Sequence, residues 1–312
     1  MPEPEPAVPD AAPRAGLRHW FLGPTRLRAG WRVLAYIAIT IVLGAVLRML
    51  LLLSRVPLAD TWTPGTFIVA ELATFAIALA GMSIMARVDG LPLARFGLPS
   101  DAAFGSMFWE GSFWGFAAVV VLVAGIAALG GYHVHGVARN GGSLLVNAAL
   151  WLAAMVMVGL SEELSFRGYP LAALADGIGF WPASVVLSLL FAALHYFGKP
   201  MESVADGLSV GLIGLFLCFT LRRTGSLWFA IGFHFAFDFA AIPCFGAPNS
   251  GNHGHPVDTR LLDSSFSGPD WLTGGVCGIE ASWLVFPLIA ALFALVHRQY
   301  RGVRFPPSRS VP

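Results

Sequence analysis

Charge is what this chain has least of. Only 12% of its 312 residues are Asp, Glu, Lys or Arg, against roughly 25% in a typical soluble domain. Cysteine is also scarce. Cys218, Cys244 and Cys277 match neither a disulfide framework nor a C-x-x-C metal pair, and no H-E-x-x-H zinc motif occurs. The net charge is +1, and the basic residues sit in short clusters between apolar runs, which leaves no patch for nucleic acid. No internal repeat of fixed period is visible, which argues against an inverted-repeat transporter. A secretory signal is not expected either, because the opening segment is proline-laden and the first apolar run is too long for an h-region.

What is present is apolar. Hydrophobic residues make up 56% of the chain, and mean hydropathy is +0.72. Spanning a bilayer core takes about 20 apolar residues as a helix, and runs of that kind lie near 31–53, 66–86, 106–130, 144–174, 181–198, 203–221, 226–246 and 280–297. The expected fold is therefore an all-α polytopic membrane protein, a bundle of about eight transmembrane helices in a lipid bilayer. The expected organisation is a disordered tail over 1–30, N-terminal membrane helices over 31–142, a core over 143–246, an irregular outer loop over 247–279, and a last helix with a basic tail over 280–312. With eight spans, Arg14, Arg18, Arg26, Arg28, Arg87, Arg95, Arg222, Arg223, Arg298, Arg301, Arg304 and Arg309 fall on one side, and only Arg55, Arg139, Lys199 and Arg260 on the other. The excess of Lys and Arg marks the cytoplasmic side, so both termini are expected there. The composition and the absence of eukaryotic targeting signals suit a bacterial inner membrane.

Against that background the stretch VGLSEELSFRGYP, residues 158–170, stands out. An Asp, Lys or Arg at the centre of a membrane helix costs roughly 2.5–3.5 kcal/mol, so Glu162, Glu163 and Arg167 must face protein or water. Glu163 and Arg167 are four apart and meet on one helix face. Glu162 lies about 100° around the helix from that pair and is a candidate acid or base. Two further apolar runs carry polar groups: Phe191 and His195 in one, and His234 and Asp238, also four apart, in another. A helix continuing to about residue 174 brings Glu162 to mid-membrane. One stopping at 160 would leave Glu162 and His195 at opposite surfaces, so the catalytic reading requires the longer helix. Glu71, Glu110 and Arg48 fit no motif and read as packing or snorkelling groups.

Taken in order, E-E-x-x-x-R (Glu162, Glu163, Arg167), F-x-x-x-H (Phe191, His195) and H-x-x-x-N/D (His234, Asp238) resemble the motifs of the CAAX prenyl protease 2, or abortive-infection-like, family of intramembrane proteases, over about 143–246. The resemblance implies a helical bundle with an intramembrane polar cavity, and an endopeptidase acting on a membrane-associated protein or peptide. Glu162 would be the base, assisted by His195; His234 and Asp238 would face the oxyanion; Glu163 and Arg167 would support the site. Asp238 can donate a hydrogen bond only if protonated, so orienting His234 is its alternative role. The resemblance implies no cofactor, although Glu162, His195 and His234 could instead form a three-ligand zinc site with an open water position. His253 and His255, near Cys244 and Cys277, could bind a metal or place a disulfide, and stay outside the site. Two other readings remain open: a catalytically silent immunity or scaffold protein of the same family, insensitive to loss of Glu162 or His195, and a proton-coupled transporter. The prenylated tails in the family name find no recognisable pocket here, and a leader peptide or another membrane protein is the expected substrate class.

Overall fold

The computed structural model describes residues 27–54, 62–138 and 141–305; most of the expected tail, 1–26, lies outside them. Nine main helices are present among the described residues: α1 (Ala29–Leu53), α2 (Pro64–Asp89), α3 (Ser106–Ala128), α4 (Gly142–Arg167), α5 (Tyr169–Ile178), α6 (Phe180–Gly198), α7 (Val204–Thr224), α8 (Leu227–Phe239) and α9 (Val285–Gln299). Seven helical stretches are long and apolar enough to cross a membrane, with α4 and α5 acting as one stretch over Gly142–Ile178. The protein is an all-α polytopic membrane protein.

Local chemistry sets the helix ends. Thr63 and Thr66 form a capping box ahead of Pro64, and Gly90 closes α2 in the left-handed conformation, which glycine adopts without a Cβ penalty. Ser203 accepts from the Asp206 amide to start α7, and left-handed Gly225 ends it. The expected continuous helix over 144–174 is instead two helices. The chain breaks at Gly168, where a Cβ would press on the Leu164 carbonyl 2.6 Å away, and α5 begins with Pro170 in its first turn. The polypeptide nevertheless stays helical on both sides of Glu162, as the catalytic reading required.

The eighth run also differs from expectation. It becomes the 15-residue α9, because residues 279–281 are taken into a short 3-10 turn packed under the outer loop. That loop is less irregular than expected. Within it β2 (Leu262–Phe266) pairs antiparallel with β1 (Tyr132–Val137), Tyr132 opposite Phe266, with a bulge between Val134 and Gly136.

The helix ends and connections gather at two poles. At one, buried Arg32 pairs with Asp89 and Asp176, Arg222 donates to the Phe305 carbonyl, and Arg223 donates to the Arg301 carbonyl. At the other, the β ribbon and residues 247–281 form a cap. There Trp151 donates to Thr259, Ser250 to Glu202, and the Cys277 thiol to the Met201 carbonyl. Cys218, Cys244 and Cys277 are all free, so no disulfide holds the cap.

Close helix packing is built on small residues. A Cβ on Gly111 or Gly115 of α3 would run into the carbonyls of Phe229 and Phe233, and one on Gly232 of α8 into that of Phe108. Small residues that let backbones approach are how membrane helices gain contact when lipid is as apolar as leucine. Phe108 and Phe235 then stack with ring centroids 5.2 Å apart. Outward, residues such as Ile41 and Phe197 are exposed, as a lipid-facing surface requires.

Candidate active site

Three helices bring the polar groups of the core together, and one glycine decides how closely. Gly159, three residues before Glu162, sits where a Cβ would lie 3.0 Å from the Ile231 carbonyl of α8. The approach places the next turn of α4, with Glu162 and Glu163, beside His234. On α7, Gly214 leaves room for Arg167, whose Nη2 a Cβ there would meet at 2.7 Å.

Glu163 and Arg167 are buried together, with 0% and 1% of their side chains exposed, and Arg167 Nη1 donates to Glu163 Oε1 at 2.9 Å. The same Oε1 lies 2.8 Å from Nδ1 of His234. Glu163 therefore links the arginine to the second histidine and fixes that ring from behind, leaving Nε2 to face forward. Asp238 Oδ2 stands 3.5 Å from this Nε2, and Glu162 Oε2 stands 3.6 Å from it.

His195 is fixed by the same logic. Its Nδ1 lies 2.9 Å from the Phe191 carbonyl, an acceptor only, so Nδ1 carries a proton, and in the neutral ring Nε2 presents the lone pair. That Nε2 is 4.0 Å from Glu162 Oε2. The Phe191 ring lies between His195 and Arg167: its centroid is 4.3 Å from that of His195, and the Arg167 guanidinium carbon is 4.4 Å from it. The phenylalanine one turn before the histidine thus packs the histidine against the buried arginine.

Glu162, His195, His234 and Asp238 all line one cavity of about 130 Å³, roomy and polar enough to hold water. Glu162 and His195 are 26% and 19% exposed, whereas Glu163 is sealed. The separations of 3.5–4.0 Å are longer than a direct hydrogen bond; a water in the cavity beside the line joining two such groups reaches both. Among the described residues no group of three His, Cys, Asp or Glu side chains is placed to hold a metal ion.

Several neighbours of the site were given no part in it by the sequence. Glu71 on α2 accepts from the Ser161 hydroxyl at 2.5 Å and lies within electrostatic range of Glu162 and His234. It is a further carboxylate packed beside Glu162, Glu163 and Asp238, and its ionisable position within an apolar run was the available signal. Glu110, by contrast, pairs with Gln299. Lys199, Asn249 and Glu280 line the cavity mouth, and their loop positions gave no signal.

The class these features define is a helical membrane protein with a carboxylate–histidine cavity between its helices. Residues 142–240, about a third of the chain, match the family model described as Type II CAAX prenyl endopeptidase Rce1-like, so this stretch is similar to that family. No curated protein and no solved structure matches the chain.

Proposed function

We propose that the protein is an intramembrane endopeptidase in which Glu162 takes the proton from a water held between it and His195. The hydroxide attacks the scissile carbonyl carbon. His234, donating Nδ1–H to Glu163, acts as the doubly protonated imidazolium and turns Nε2–H toward the oxyanion, and Asp238 orients that ring. The C–N bond breaks as the proton on Glu162 passes to the leaving amine. A positioned general base contributes typically 10²–10⁴-fold, and donors fixed in a dry cavity stabilise developing charge without reorganising.

One observation supports this reading best: a single carboxylate oxygen of Glu162 faces Nε2 of two histidines, each oriented by a separate acceptor. Glu163 and Arg167 are positioning residues. In this reading the chemistry needs no metal ion. The substrate is a protein or peptide in the membrane, and the chain sits in a bacterial inner membrane with both termini cytoplasmic.

The test uses purified protein incubated with solubilised membrane proteins, with mass spectrometry of new N-termini. The reading expects termini with wild type that vanish with Glu162→Ala and persist in chelator. Identical termini from both proteins would replace it with a non-catalytic scaffold, and loss of all termini in chelator would replace it with a metalloprotease.

A further inference from the structure

The cavity has a direction. Its floor is formed by Leu217 and Phe233, and its mouth by Trp62, Lys199, Asn249 and Glu280. Trp62 packs against Gly251 of the cap, Lys199 pairs with Glu202 at 3.6 Å, and Glu202 accepts from Ser250 of the cap. The mouth therefore belongs to the cap pole. Toward the other pole the site is closed by Glu163, Leu164, Arg167 and Tyr169, all essentially without exposed surface. None of the residues lining the cavity comes from the arginine-bearing connections.

The two poles differ in charge as well. Arg28, Arg87, Arg95, Arg222, Arg223, Arg298, Arg301 and Arg304 outnumber Asp89, Asp101 and Asp176 at the closed end, while Glu202, Asp206, Asp258, Asp263, Asp270 and Glu280 outnumber Lys199 and Arg260 at the cap end. An excess of Lys and Arg marks the cytoplasmic side of a membrane protein. Lys199 sits among Glu280, Asp206 and Glu202, so a chain end carrying its own carboxylate meets net negative charge at this mouth. An internal peptide segment does not.

We infer that the cavity opens on the non-cytoplasmic face, and that the substrate is an internal segment of an exported peptide or membrane protein presented at that face, not a cytoplasmic carboxyl-terminal tail. The inference rests on the endopeptidase reading for its substrate, but not for its geometry. A peptide enters beside Lys199 and Glu280 and reaches Glu162 from the cap side.

Single cysteines read the direction in intact cells, with an impermeant cationic methanethiosulfonate and the labelling of the unaltered chain as background. Val134→Cys lies on the cap ribbon, Val303→Cys by the arginines, and Ile213→Cys on the cavity wall; Val210→Cys, on the same wall, replaces the last if it does not accumulate. Labelling of Val134→Cys and the wall cysteine in intact cells, with Val303→Cys labelled only after the cells are opened, is expected. A wall cysteine labelled only in opened cells overturns the proposal. In the same cells, termini that depend on Glu162 are expected to map to non-cytoplasmic segments; mapping to cytoplasmic tails overturns the substrate assignment. If no such terminus arises while the wall cysteine labels from outside, the endopeptidase reading and the substrate fall, and the outward mouth stands.

Discussion

Glu163 is the residue whose removal should be felt in two different ways. Its single Oε1 holds the Arg167 guanidinium at 2.9 Å and the His234 ring at 2.8 Å, and the pair is buried beneath the cavity. Glu163→Ala leaves a guanidinium inside the protein with no counter-ion. Removing one partner of a buried pair costs about 3–5 kcal/mol, whereas replacing both by apolar groups of similar size is often neutral. At about 1.4 kcal/mol per decade, the single change shifts the folding equilibrium by roughly two to four decades. Glu163→Met with Arg167→Met should recover most of the loss of either single methionine change, giving a coupling of at least ~3 kcal/mol, the cost of breaking the pair from one side. It should not recover catalysis, because His234 still lacks its orienting acceptor. Reversible denaturant unfolding in detergent, read beside cleavage rate for the two singles and the double, tests this. If the stability losses simply add, Arg167 does not depend on Glu163, and the account of the support beneath the site is wrong.

Other expectations are more local. Asp238→Ala should lower the cleavage rate roughly 10–100-fold through a loosely held His234, less than the ~10²–10³-fold cost of removing an oxyanion donor. Asp238→Asn should retain most activity, and a loss as deep as alanine's would show that the charge matters rather than the shape. Gly115→Val should destabilise the bundle by at least the ~1–3 kcal/mol of ordinary overpacking, because the obstacle is the Phe233 backbone; unchanged thermal unfolding would refute the α3–α8 packing. At the cap, burial opposes charge on Glu202, but the Asp206 carboxyl and Ser250 hydroxyl beside it and the Lys199 ammonium hold its pKa below the usual carboxylate range. Burial likewise opposes charge on Lys199, yet Glu280, Asp206 and Glu202 raise its pKa. Glu202 therefore stabilises the fold above its unfolded pKa and loses that contribution as pH falls through its lower folded value. Lys199 contributes below its unfolded pKa and loses it as pH rises through its higher folded value. Glu202→Gln should flatten the acid limb of unfolding against pH, and an unchanged limb would remove Glu202 from the account.

The sequence was most legible where solvent made residues costly. Two glutamates and an arginine in an apolar run, a histidine in another, and a histidine with an aspartate in a third are conspicuous because hydrocarbon penalises each. The pairing of Glu163 with Arg167 followed from helical spacing alone. The bond from Glu163 to His234 crosses 71 positions and that from Ser161 to Glu71 crosses 90, distances at which no periodicity reports a partner. Glycine carries the same lesson: Gly159 and Gly232 read as ordinary small residues until the helices that touch there are known. The β ribbon escaped notice because its strands are short and lie far apart in the chain, and the shortened α9 because part of its apolar run serves the cap.

The measurement that bears most directly on the central claim is the single-turnover cleavage rate of purified Glu162→Gln against wild type, on a substrate identified by its new N-terminus, in metal-free buffer. Glutamine keeps the shape of the side chain and removes the base. The account predicts a loss toward the upper end of the ~10²–10⁴-fold range for a general base, with an unfolding midpoint unchanged from wild type. A rate within a few-fold of wild type, with the protein equally stable, would contradict it.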